Sequence, residues 1–224
     1  MRLAFSLQSG PIAPIRAFSS DIGVTNLSRP DKATLRKTVL ASRDAKDEAS
    51  RVEAALAVAD HASDVPAFDG DVLAGSWVSS FLPIRSEIDA RPLMAVLADR
   101  GARLCLPVVQ DRTTIVFREL VRGGELVDTG FGTLGPPPEA EVVDPAVMIV
   151  PLAAFDSRGG RIGYGAGHYD RAIARLMEDG KPPRLVGLAF ALQQVGHVPV
   201  EAHDQPLEGV LTENGYIACA GAET

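Results

Sequence analysis

One segment constrains the fold more than any other. Residues 150–170 read Val-Pro-Leu-Ala-Ala-Phe-Asp-Ser-Arg-Gly-Gly-Arg-Ile-Gly-Tyr-Gly-Ala-Gly-His-Tyr-Asp. The apolar run at 147–152 ahead of the glycines reads as a buried core strand, and residues 169–177 behind them read as a helix. Gly163, Gly165 and Gly167 alternate. Glycines let the backbone take positive φ and come close to a ligand. Free N–H groups, with the N-terminus of the following helix, suit a phosphate. Arg161 adds positive charge to the same place, and Asp170 falls in the first helical turn, where a carboxylate can hold Mg²⁺ through oxygen. Taken alone, these features also fit ordinary turns and an aspartate that merely complements the helix dipole. No G-K-[ST] follows, so the loop is not a P-loop. The glycines come about a dozen residues after the strand begins, so a dinucleotide fingerprint fits poorly.

The rest of the chain alternates between helical and strand patterns. A helix is expected over residues 31–43, opened after Ser28 with Pro30 near its first turn. A second covers 47–62, with Val52, Ala55, Leu56 and Val58 spaced for burial. A strand is expected over 72–81, leading into Leu82 and an acidic helix start at Ser86 and Glu87, and a further helix near 91–100. Strands at 103–107 and 113–117 end at a Gly123-Gly124 turn. Residues 184–190 add a strand, and 210–211 and 216–219 add short final ones. Such alternation predicts a three-layer α/β/α sandwich around a mostly parallel, Rossmann-like sheet. Residues 129–140, with three glycines and three consecutive prolines, form a loop or seam within one domain spanning 28–224. Residues 1–27 are set aside as a disordered leader. Arg2, Arg16, several serines and no acid in the first twenty residues also suit a transit peptide, so mitochondrial import stays open.

Charge narrows the function. A net charge of -7 argues against a nucleic-acid binder or a polybasic membrane surface, so an anionic substrate needs a local cationic patch. The first helix supplies one. At about 100° per residue, Lys32, Arg36 and Arg43 fall within roughly 40° of one another, flanked by Leu35, Val39 and Leu40, while Lys37 points away. A cation among apolar residues is costly unless an anion or a carboxylate meets it. Cys105 and Cys219 form no C-x-x-C pair, so neither zinc nor a disulfide framework is expected, and Cys105 reads as a buried thiol. No apolar stretch reaches the ~18 residues that cross a membrane. The expected setting is cytoplasmic.

The complete string F-D-x-x-G-x-R-[apolar]-G-x-G-x-G-x-Y-D resembles the signature of the 5-formyltetrahydrofolate cyclo-ligase family, also called methenyltetrahydrofolate synthetases. The resemblance spans about residues 32–211. It implies ATP as co-substrate and Mg²⁺ as cofactor, in a monomer that acts on 5-formyltetrahydrofolate. Residues Arg161, Ile162, Gly163, Tyr164, Gly165, Ala166, Gly167, His168 and Tyr169 would wrap ATP, with Arg161 and Tyr169 at the reacting groups. The family's K-x-x-x-R falls on Lys32 and Arg36 as phosphate contacts, with Arg43 a weaker candidate. Asp170 and, in Val198-Pro-Val-Glu-Ala-His-Asp, Asp204 would bind the metal. Leu82, Glu87 and Phe131 would face the folate. Ala166 stands where glycine or lysine is frequent, and His168 where an aromatic is frequent, so His168 is read as a stacking substitute. Two other readings compete: an α/β sugar-phosphate or CoA-ester enzyme using the loop for its anion, and a non-catalytic nucleotide- or folate-binding protein.

Overall fold

The computed structural model describes residues 31–130, 133–201 and 204–220. The leader, Ser28, Pro30 and Phe131 lie outside the described residues. Helices α1 (Lys32–Asp44), α2 (Glu48–Asp60), α3 (Gly70–Leu73), α4 (Arg91–Asp99) and α5 (His168–Glu178) accompany twelve strands. The first six are β1 (Trp77–Ser79), β2 (Arg103–Val109), β3 (Ile115–Glu119), β4 (Val127–Asp128), β5 (Leu134–Gly135) and β6 (Val142–Val143). The rest are β7 (Val147–Pro151), β8 (Ala154–Phe155), β9 (Arg161–Ile162), β10 (Arg184–Leu188), β11 (Gly209–Thr212) and β12 (Gly215–Ala218).

Eight strands form one sheet in the order β12-β11-β10-β7-β1-β2-β3-β6. The five from β11 to β2 are parallel, and β12, β3 and β6 pair antiparallel at the edges. Two small ribbons, β4–β5 and β8–β9, stand apart. In β7 the first four residues, Val-Met-Ile-Val, are all buried, as expected where both faces of a parallel strand are covered. Alternate side chains serve different layers. Val147, Ile149, Val186 and Leu188 pack with Val58, Leu93 and Leu97 of α2 and α4. Met148, Val150 and Leu185 pack with Ala172, Ile173 and Leu176 of α5. The expected three layers are therefore present.

Topology fixes where a ligand can enter. From β1 the chain moves one strand over to β2, whereas β7, on the other side of β1, leads outward to β10 and β11. Strand order reverses between β1 and β7, and ligands in open α/β sheets bind beyond the carboxyl ends of strands at such a switch point. Helix α1 lies over this region. Its Val39 and Leu35 pack on Ala154 and Ile162 of the β8–β9 ribbon and on Val198. The helix that carries the basic stripe is thus fastened to the ribbon that leads into the glycine loop.

Several local expectations need correction. Helix α1 begins at Lys32, and the Asp31 side chain caps it by accepting from the Thr34 N–H at 2.7 Å. Val52 and Leu56 are both 55 % exposed, because α2 turns its small residues Ala54, Ala55 and Ala59, with Val58, inward. The strand expected at 72–81 is only Trp77–Ser79. Residues 70–73 make a helical turn with Asp69 accepting from the Asp71 N–H, and Gly75, at φ 73°, redirects the chain. Ser86 and Glu87 do not open a helix. They sit in a turn where Arg85 adopts φ 55°, and α4 starts at Arg91 with Pro92 in its first turn. The neighbouring strands run Ile115–Glu119 and Arg184–Leu188, each displaced or shortened by about two residues. Cys105 and Cys219 are free and buried, and burial pushes both thiols up, out of the reactive range.

Candidate active site

A cleft of about 400 Å³ opens at the switch point. One wall is polar and follows from two contiguous pieces of sequence, α1 and the loop at 161–170. Lys32, Arg36, Arg161 and every residue of that loop line it, together with Asp204. The opposite wall is apolar and comes from separate strands: Phe81, Leu82 and Ile84 after β1, Leu106, Pro107 and Val109 on β2, Ile115 on β3, and Val150 and Pro151 on β7. Glu87 sits on this second wall. Among the described residues, every expected site residue except Arg43 lines this cleft.

The loop's shape rests on two left-handed glycines. Gly165 takes φ 103° and Gly167 takes φ 68° as the N-terminal cap of α5. A Cβ on Gly165 would come within 3.9 Å of the Arg36 guanidinium. Gly163 does not need positive φ. A Cβ there would meet no atom within 4 Å, and its carbonyl accepts from Arg36 Nε at 2.7 Å. Among the described residues no side chain caps the first turn of α5, which suits its N–H groups to an anion. Arg171 closes the loop from behind, donating to the Ala166 and Thr113 carbonyls, each at 2.7 Å. His168 lines the cleft, and its Nε2 lies 3.0 Å from the Arg112 carbonyl, which ties the loop to the β2–β3 turn.

Charge in the cleft is paired across the chain. Arg161 is 9 % exposed, and it donates to the Asp170 carboxylate and to the Gln205 carbonyl. Burial lowers its pKa, while Asp170 and Asp204 oppose that effect. Lys32 Nζ donates to Asp204 at 2.8 Å and to Glu201 at 3.0 Å. Burial works against its ammonium, but these two carboxylates outweigh it and hold the pKa above the ordinary value. Lys32 therefore contacts one of the two acids expected to hold a metal, Asp204. Glu87 accepts from the Ile84 N–H at 2.9 Å. Burial raises its pKa, against the Ile84 bond, the Tyr164 hydroxyl and the charges of Arg43 and Arg85. The Tyr169 hydroxyl is buried with no hydrogen-bond partner among the described residues, and burial with the nearby Glu87 holds it protonated.

Asp170 and Asp204 offer hard oxygen donors to the same cleft, which suits Mg²⁺. Among the described residues no group of three or more His, Cys, Asp or Glu side chains is arranged to hold a metal alone. That donor set fits an ion completed by phosphate oxygens and water, the usual manner of Mg²⁺.

Arg43, the weaker candidate for a phosphate contact, does not line the cleft. Arg43 is 2 % exposed and joins the two walls, donating from Nε to Ser86 Oγ at 3.0 Å and from Nη1 to the Tyr164 hydroxyl. Its spacing of seven residues from Arg36, two helical turns, was the available signal.

Comparison with known proteins gives a consistent result. The model of the 5-formyltetrahydrofolate cyclo-ligase family matches residues 28–213. The 5-formyltetrahydrofolate cyclo-ligase of Mycolicibacterium smegmatis is 31 % identical over 201 residues, covering 86 % of this chain and 99 % of the relative. The enzyme of the same name from Escherichia coli K12 is 34 % identical over 147 residues, covering 63 % of this chain and 80 % of the relative. The solved structure of Aquifex aeolicus 5,10-methenyltetrahydrofolate synthetase superposes with a TM-score of 0.70 at 27 % identity, covering 86 % of this chain and 95 % of that one.

Proposed function

The chain belongs to the 5-formyltetrahydrofolate cyclo-ligase family, a family of ligases, and from that premise we propose that it converts 5-formyltetrahydrofolate and ATP to 5,10-methenyltetrahydrofolate, ADP and phosphate. The observation that carries the reading is convergence. Two cations of α1, the glycine loop, two carboxylates and an apolar wall with one buried carboxylate all line a single cleft.

The chemistry explains why both walls are needed. The formyl group on N5 is an amide and resists attack by N10. In the proposed reaction the formyl oxygen attacks the γ-phosphorus and ADP departs. N10 then attacks the activated carbon, loses its proton, and the C–O bond breaks to release phosphate. This chain supplies position and charge rather than a covalent nucleophile. Arg36 and the N–H groups from Gly165 to Tyr169 would bind the β- and γ-phosphates. Arg161, already buried and oriented by the Gln205 carbonyl, would face the transferring group. Glu87 would accept from the pterin's amino and ring N–H donors, with Leu82 packing beside it. Tyr169, which lines the cleft while its hydroxyl is buried, would bound the nucleotide site beside Asp170. Asp170 and Asp204 would hold Mg²⁺, which when bound neutralises phosphate charge, and Lys32 would keep Asp204 in place.

The test is direct. The purified protein is mixed with 5-formyltetrahydrofolate and Mg²⁺, with and without ATP, and the absorbance of methenyltetrahydrofolate is followed. Product that appears only with ATP, with one ADP per product, supports the reading. No product in either mixture removes it.

A further inference from the structure

Arg43 carries a charge into the interior far from solvent, at a position the phosphate-binding role does not explain. Its helix reaches both walls. Arg36, two turns earlier, donates to the Gly163 carbonyl at 2.7 Å. Arg43 itself donates to the hydroxyl of the next loop residue, Tyr164, and its guanidinium carbon lies 5.6 Å from that ring's centroid. Its Nε donates to Ser86, whose hydroxyl in turn donates to Asp44 at the end of the same helix. Ser86 immediately precedes Glu87 in the turn, where Glu87 accepts from the Ile84 N–H at 2.9 Å. Arg43 therefore joins the turn at 84–87, which carries Glu87, to the glycine loop at Tyr164. A planar guanidinium can hold two partners in fixed directions, whereas an ammonium is a single point charge.

We propose that Arg43 is a positioning residue that fastens the Glu87 wall to the glycine loop, so that occupation of either side raises affinity for the other. The proposal rests on the reading that nucleotide binds the loop and folate binds at Glu87. A ligand that orders the loop sets Tyr164, and through Arg43 it sets the turn that aims Glu87. Linkage makes the effect reciprocal: nucleotide raises folate affinity by the same factor as folate raises nucleotide affinity.

The experiment measures dissociation constants by titration calorimetry for 5-formyltetrahydrofolate, with and without a non-hydrolysable ATP analogue and Mg²⁺. The wild type is compared with Arg43→Lys, Arg43→Met and Tyr164→Phe, alongside thermal melts. The wild type is expected to show coupling on the order of tenfold. Arg43→Lys, which keeps the charge but loses the fork, is expected to retain only a small part of it. Tyr164→Phe removes one hydroxyl and keeps the ring, so it is expected to lose coupling with little change in melting temperature. A purely structural Arg43 would lower the melting temperature of its variants and leave the coupling factor intact in Tyr164→Phe and Arg43→Lys. That result, or two ligands that bind the wild type independently, overturns the link alone. A wild type that binds the analogue but not the folate overturns the ligase reading, and the link with it.

Discussion

The two walls of the cleft are built in opposite ways. Apart from Asp204, the polar wall comes from two short stretches, residues 32–36 and 161–170, each carrying its own periodicity or motif. The apolar wall is gathered from β2, β3 and β7 and the segment after β1, so no stretch of it announces a site. A phosphate needs donors and charge at fixed spacing, which a loop and one helix face can supply. A flat heterocycle needs apolar area beyond the ends of several strands, which only the sheet topology creates. Chemistry written locally and chemistry written by topology should therefore fail differently when altered.

The largest expected effect is on the polar wall. Asp170→Asn should lower kcat about 100- to 1000-fold, the usual cost of removing one positioned electrostatic partner. Arg161, left buried with the Gln205 carbonyl but without its paired carboxylate, should lower the melting temperature while the fold stays intact. Titration of activity against Mg²⁺ should show a raised requirement. An unchanged rate with unchanged metal dependence removes Asp170 from the site.

An apolar-wall substitution should behave in the reverse sense. Ile115 lines the cleft and is 4 % exposed. Ile115→Ala should cost about 2–5 kcal/mol of stability by denaturant unfolding. Its KM for the folate should rise while its KM for ATP stays near the wild-type value. Equal rises in both KM values would erase the distinction between the walls.

Arg36→Ala tests the helix stripe. Loss of one charge-assisted contact should raise the KM for ATP about tenfold, with a smaller effect on the folate. Steady-state kinetics with each substrate varied in turn gives the answer, and unchanged KM values would rule out a phosphate contact.

Glu87→Gln should have the smallest effect on stability and separates binding from folding. Burial leaves the Glu87 carboxylate with a raised pKa. The folded state then holds more protons than the unfolded state between the two pKa values, so wild-type stability falls as pH rises through that window. The variant lacks this penalty. It should melt at or above the wild type at pH 8, with the difference shrinking as pH drops below the window, while its KM for the folate rises. A variant that melts well below the wild type at pH 8 contradicts this account of Glu87.

The same contrast explains what was legible in the sequence. The layered parallel sheet could be read because β7 and β10 are continuous apolar runs set between helical patterns. The cations of α1 could be read because they share a side with Val39. The motif itself divides in two. Its second half, from Arg161, lines the cleft. Its first half builds the support: Asp156, 1 % exposed, accepts from the Val198, Arg158 and Gly160 N–H groups. Gly159 holds φ 87° where a Cβ would approach the Leu207 carbonyl to 2.6 Å. Spacing alone does not separate these roles, because only tertiary contact decides which residues face the cleft. The linking position of Arg43 was not legible for the same reason: its partners Ser86 and Tyr164 are 43 and 121 residues away. The strand expected at 72–81 failed where Asp69 and Gly75 set local geometry that apolar content does not report.

The central claim is that one cleft brings the γ-phosphate of ATP to the formyl oxygen of the folate. Formyl-¹⁸O-labelled 5-formyltetrahydrofolate, turned over with ATP and Mg²⁺, tests it by mass spectrometry of the released phosphate. The account predicts that the label passes from the formyl group into inorganic phosphate, one atom per methenyltetrahydrofolate formed. Phosphate released without the label, while product accumulates, would contradict it.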